Sequence, residues 1–212
     1  YIYQVTHDHY VTIHLMFLHL LFLFLFVFPA SPALANSQVI IINQVRGKES
    51  CCQPGSLENL KKQIHYHQEL NIPAHFLIRY DTLNDPSFIA ELKKALDTHN
   101  HLINLGILIE ITPSLAKDTN VNYQATANTW QEAQHVFTIG YSKENRKKLV
   151  NQLFNRFHQT FGFFPETSGS WMIDTPTLNY LQENFQTKAH LITREQWGTD
   201  PYHLYGGPPH YP

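Results

Sequence analysis

Cysteine is nearly missing from this chain: 212 residues contain 2, Cys51 and Cys52, side by side. Adjacent cysteines rarely satisfy disulfide geometry. No C-x-x-C or Cys/His spacing surrounds them, so neither a disulfide framework nor a thiolate metal site has support. Charge of one sign is also missing. Lys and Arg number 15 against 17 Asp and Glu, a formal net charge of -2, and no basic block is present to bind a polyanion. Nucleic acid is therefore not an expected partner. No G-x-G-x-x-G follows the first apolar run and no G-x-x-x-x-G-K-[ST] occurs, which leaves nucleotide binding without support. No short internal repeat is found. What is present, 43% hydrophobic, 13% aromatic and 15% charged residues, is the profile of one globular domain.

One long hydrophobic run stands at the start. Leu15 to Phe28, "LMFLHLLFLFLFVF", is apolar apart from His19, and "PASPALANS" follows, with Ala33 and Ala35 framing Leu34. An apolar core before small residues reads as a secretory signal, shorter than the roughly 20 residues of a free-standing span. An uncleaved membrane anchor is the alternative. Either way residues 1–35 form a signal or anchor and residues 36–212 a domain outside the cytoplasm. The chain opens on Tyr1 and closes on "GGPPHYP" with no helix or cap behind it. It is therefore expected to be a fragment at both ends, with residues before Val11 or Met16 upstream of the true start and the domain truncated at its C-terminus.

After residue 36 the pattern alternates. "QVIIINQV" and "IPAHFLIRYD" read as buried strands, and "INLGILIEIT" (Ile103 to Thr112) as a third. "HVFTIGY" reads as a fourth and "KAHLIT" as a last. Between them lie amphipathic helices. One is capped by Ser56, with Leu57, Leu60 and Ile64 inward. A second is capped by Asp85 ahead of Pro86, with Phe88, Ile89, Leu92 and Leu96 inward. A third runs from Ser142 to Gly162, with Leu149, Leu153, Phe154 and Phe157 inward. A fourth starts at Thr175-Pro176, with Leu178, Leu181 and Phe185 inward. Pro113 to Thr129 reads as a long polar linker. Strands alternating with helices predict an α/β fold with a mostly parallel sheet, a (β/α) barrel or partial barrel.

In such folds chemistry collects where strands end, and these ends are polar. They carry Arg46 and Glu49; Arg79, Tyr80 and Asp81; Glu110; Tyr141; Trp171 and Asp174; and finally Arg194, Glu195, Trp197 and Asp200. Glu110, between Ile109 and Ile111, would cost several kcal/mol if buried unpaired. Arg46 and Arg79 are its natural bidentate partners. Asp81, Glu110, Asp174 and Asp200 supply enough carboxylates for an acid and base pair, as glycoside hydrolysis requires. Glu110, Asp81 and Asp174 are the catalytic candidates. Arg46, Arg79, Tyr141, Trp171, Trp197 and Asp200 are the substrate-binding ones, with the aromatics as a stacking platform for sugar rings. Asp174 is not needed as a helix cap, because Thr175 and Pro176 already account for the helix start. Ion pairs that merely close the end of a barrel are the alternative. Histidine is frequent, 14 in all, yet after the leader no H-x-x-x-H pair occurs. Each lone His reads as a core or surface side chain, with His75 and His101 the best placed as ligands. The metal requirement is left open.

The segments "SKENRKKLVNQLFNRFHQTFGFFP" and "SGSWMIDTPTLNYLQENFQTKAHLI" carry a resemblance. In order and layout the chain resembles the polysaccharide deacetylase group of the glycoside hydrolase/deacetylase superfamily, whose fold is a distorted seven-stranded β/α barrel. "FFPETSG" followed by "TPTLNYL" matches that group's strand, loop and helix, with Phe164 in place of an Arg and Glu166 in place of the second Pro. The resemblance implies a distorted or incomplete seven-stranded barrel, secretion, and a role on polysaccharide or cell-wall glycan. It does not carry over the family's zinc chemistry. The first strand ends in "NQVRG" rather than an Asp-Asp pair, and "LGILIEITP" stands near the place of the metal-binding histidines. A hydrolase using different carboxylates in the same cleft, and a non-catalytic glycan-binding or envelope protein, are the two expectations.

Overall fold

The computed structural model describes residues 40–49, 55–99, 101–123 and 133–192 of the chain. The leader, Cys51, Cys52, Trp197 and Asp200 lie outside them, as do Arg194 and Glu195. Among the described residues no helix is long and apolar enough to cross a membrane.

Five strands form one sheet: β1 (Ile41–Val45), β2 (Ala74–Ile78), β3 (Ile103–Leu108), β4 (Thr167–Ser170) and β5 (Ala189–Ile192). Each pairs in parallel with its neighbour in sequence order. The result is a curled half-barrel; among the described residues a complete seven-stranded barrel is not formed. Helices connect the strands: α1 (Ser56–Leu70), α2 (Tyr80–Leu83), α3 (Pro86–His99), α4 (Pro113–Asp118), α5 (Ala133–Val136), α6 (Lys143–Phe161) and α7 (Thr175–Phe185), with a 3₁₀ turn at Thr138–Gly140.

The helix-facing side holds the core. Phe76 and Ile78 of β2, Ile103, Leu105 and Ile107 of β3, Leu92 of α3 and Leu149, Leu153, Phe154 and Phe157 of α6 are all buried in one cluster. On the other face of the sheet Leu77 lies against two glycines. A Cβ on Gly106 would fall 2.5 Å from Thr167 Oγ1 and 2.6 Å from His75 Nε2, and one on Gly169 would fall 2.5 Å from Leu77 Cδ1. The two bare backbones let the sheet curl tightly at this level.

Helix punctuation follows the sequence in two places and departs from it in two. Ser142 Oγ accepts from Asn145 N and Gly162 ends α6 in the left-handed conformation at φ 84°. Asp85 Oδ1 accepts from Ser87 N at 2.9 Å at the head of α3. Ser56, however, is the first residue of α1 rather than its cap; Gly55 caps it at φ 108° with no side-chain bond. Asp174 is the cap of α7 after all, accepting from Thr177 N at 2.9 Å, because Pro176 removes one orphan N–H but leaves the others.

Three strand readings are corrected. "HVFTIGY" is α5 and the 3₁₀ turn, with Val136 and Phe137 buried against Met172. The fourth strand is instead Thr167–Ser170, four small residues that read as a turn. β1 is not a buried strand: as an edge it leaves Ile41 and Ile42 each 42% exposed. The expected linker from Pro113 begins with α4, capped by Thr112, whose side chain accepts from Leu115 N.

Candidate functional site

Strand register brings the first charges together. Val45 and Ile78 are partners at the ends of β1 and β2, so Arg46 and Arg79 leave the sheet side by side. Glu110 lies two residues past the end of β3 rather than within it. There Ile109 N still bonds Gly169 O at 2.8 Å and Ile111 N bonds Val136 O at 2.7 Å. The two flanking isoleucines are buried, at 0% and 2% exposure, and this fixes Glu110 at the concave mouth.

The four side chains form an alternating chain of charge. Arg46 Nε donates to Glu110 Oε2 at 2.8 Å and its Nη2 to Oε1 at 2.5 Å. Arg79 Nη1 reaches the same Oε2 at 3.3 Å. Arg79 then forks onto Asp81, with Nε to Oδ1 and Nη2 to Oδ2 both at 2.8 Å. Arg79 and Glu110 are each 1% exposed, a placement that only mutual pairing makes tolerable. Burial alone pulls the Arg79 pKa down, but Asp81 and Glu110 outweigh it, and the net shift is upward.

Asp81 also holds the following loop. It accepts from Gly47 N at 3.3 Å and Glu49 N at 2.9 Å, and from Thr82 N at 3.1 Å. Gly47 is required here: a Cβ would stand 2.6 Å from Asp81 Oδ2. Glu49 is tied down in turn, its O accepting from Arg79 Nη2 at 2.7 Å and its Oε2 from Ser114 Oγ at 2.8 Å. Outside this loop lies a cavity of about 430 Å³ lined by Lys48, Glu49, Asp81, Asn84, Asp85 and Ser114. On the other flank Trp171, half-buried, donates its Nε1–H to Gln44 Oε1 at 3.3 Å, and the Arg46 guanidinium carbon lies 5.9 Å from its ring centroid. At that distance the contact is a cation–π interaction.

Asp174 and Tyr141 stand apart from this group. Asp174 takes Arg146 Nη1 at 2.8 Å and Thr138 Oγ1 at 2.9 Å while capping α7. These contacts tie α6 to α7 through Asp174 and are made with none of Arg46, Arg79, Asp81 or Glu110. Tyr141 is 3% exposed and donates its hydroxyl to His135 O at 2.7 Å, so its ring offers no open face for a sugar. Sequence reasoning missed Gly47, Gln44, Ser114, Thr138 and Arg146. Arg146, within "SKENRKKL", carries no sign that separates it from solvated helix charges, whereas Gly47 directly after Arg46 was a readable signal of close backbone approach.

Among the described residues no group of three or more His, Cys, Asp or Glu is arranged to hold a metal ion. Neither His75 nor His101 belongs to one. His75 Nε2 meets Thr167 Oγ1 inside the curl, and burial lowers its pKa. No protein-family model and no curated protein matches the chain.

Proposed function

We propose that the protein is a carbohydrate-active hydrolase, secreted or held in the cell envelope by its apolar leader, and that polysaccharide is worked on at the mouth formed by Arg46, Arg79, Asp81 and Glu110. The observation that carries the reading is Arg79: a fully buried guanidinium bridging two carboxylates from successive strand ends, beside an open cavity. Hydrocarbon of similar volume would close a sheet end equally well or better, so an expensive charged cluster at the end where α/β enzymes work favours chemistry over closure. Arg46 is the cluster's most exposed member, 15% against 1% for Arg79. Its movement off Glu110 would free the carboxylate for a substrate stacked on Trp171.

A second reading, glycan binding without turnover, draws on the same contacts. Both oxygens of Glu110 and both of Asp81 are already occupied by N–H donors. The two readings separate in one experiment. The full chain and its Glu110→Gln variant are incubated with acetylated chitooligosaccharide, acetylxylan and peptidoglycan, and released acetate and reducing ends are measured. Turnover by the wild type that disappears in a folded Glu110→Gln variant supports the hydrolase. Equal rates remove Glu110 from the mechanism, and binding with no turnover in either protein selects the second reading.

A further inference from the structure

The first turns of α6 and α7 meet away from the Arg79 cluster. Between them lies a cavity of about 240 Å³ walled by Lys143, Arg146, Lys147, Val150, Pro176 and Tyr180. Its charges are unbalanced. Arg146 is fully committed: Nη1 to Asp174 at 2.8 Å, Nε to Tyr141 O at 2.7 Å and Nη2 to Ile139 O at 3.1 Å. Lys143 and Lys147 are exposed, and neither enters an ion pair with a described residue. The Lys147 ammonium lies 5.3 Å from the Tyr180 ring centroid, which keeps it over the cavity wall. The one carboxylate lining the cavity is Glu183.

The floor has a different character. Exposed Pro176 and the half-buried Tyr180 ring give it an apolar side, with Val150 buried behind them at 1% exposure. A bare inorganic anion would use the charges and waste the wall; a neutral sugar would use the wall and leave the charges unmet. The volume is below the roughly 300–1,000 Å³ of a drug-sized pocket and suits a single ring. We propose that this cavity binds one acidic sugar unit, a hexuronate, with its carboxylate between Lys143 and Lys147 and its ring against Tyr180 and Pro176. The proposal rests on the glycan reading above and narrows it to acidic polysaccharide. Asp174, which ties Arg146 to α7, follows β4 at the same end of the sheet as Glu110, so both places lie at that end.

The test is calorimetric titration of the full chain with trigalacturonate and with maltotriose in about 20 mM salt, where surface charges are weakly screened. The acidic trimer is expected to bind at least about tenfold more tightly than the neutral one, and about 500 mM salt is expected to remove that advantage. A Lys143→Ala/Lys147→Ala double variant should lose the advantage with an unchanged melting temperature, since both side chains are exposed. Glu183→Gln should tighten binding. The strand-end reading is judged by turnover in the wild type and this one by the ratio of the two trimer affinities, so that failure of the one and failure of the other are separate results. Equal binding of the two trimers, or acidic binding that survives the double substitution, overturns the proposal. Inorganic phosphate competing as well as the trimer marks a bare anion site and overturns the sugar assignment.

Discussion

Replacing Arg79 by Met tests the charge cluster most directly, because Met keeps much of the volume and removes all of the charge. In the wild type the guanidinium meets Asp81 through two bonds of 2.8 Å, Glu110 at 3.3 Å and Glu49 O at 2.7 Å, at 1% exposure. Without it Asp81 keeps the N–H groups of Gly47, Glu49 and Thr82, and Glu110 keeps Arg46. Each carboxylate thus loses its shared cation but not its last donor. Removing one partner of a buried pair costs about 3–5 kcal/mol, and the retained donors favour the lower part of that range. Arg79→Ala should cost about 1–3 kcal/mol more for the space it leaves. The Arg79 pKa is raised on folding, and a cation so shifted contributes fully below its unfolded value. That value lies far above neutrality, so the loss should be the same at about pH 6 and about pH 9. Urea unfolding followed by far-UV circular dichroism gives the difference. A loss under about 1 kcal/mol would mean that water already solvates the guanidinium, and the account of a sealed cluster would be wrong.

Three further outcomes are expected. Gly47→Ala should push the loop off Asp81, since the added carbon would stand 2.8 Å from its Cγ; the melting curve should show a loss of about 1–3 kcal/mol. Asp174→Ala removes the α7 cap and the buried partner of Arg146, so chemical denaturation should report about 2–4 kcal/mol, above the roughly 1 kcal/mol of a cap alone; a loss no larger than a cap would show the ion pair to be idle. His190 Nδ1 shares a hydrogen bond with Ser168 Oγ, and burial lowers the His190 pKa to about 4. The folded value lies below the unfolded one, so its contribution is complete above about pH 6.5 and falls away as pH drops towards 4. Denaturation midpoints of wild type and His190→Gln across that window should converge on the acid side, and parallel curves would refute the assignment.

The elements legible in the sequence were those with strong local chemistry. α6 has a Ser cap, an apolar stripe and a Gly stop, and its residues need no distant partner to declare a helix. The hydrophobic β2 and β3 were equally plain. β4 was not, because Thr167–Ser170 has no apolar side chain and becomes a strand only through pairing with β3 and β5. Its smallness is its qualification, since Gly169 must admit Leu77. "HVFTIGY" failed in the opposite sense: a short apolar run fits a strand or a buried helical turn, and periodicity cannot decide between them. Of the candidate site, Arg46, Arg79, Asp81 and Glu110 were readable because charges directly behind apolar runs must find one another. Asp174 was misread because Thr175-Pro176 looked sufficient as a helix start, and the sequence gives no hint of Arg146, 28 residues earlier, as its partner.

The exposed edge at β1 has a practical consequence. Ile40, just before β1, and Ile41 and Ile42 within it stand 58%, 42% and 42% open, and the strand pairs on one side only among the described residues. Such an edge is a template for a like strand from another molecule. Preparations are therefore expected to clump during concentration or refolding, and a single lysine in place of Ile41 should raise the recoverable yield without touching the opposite end of the sheet.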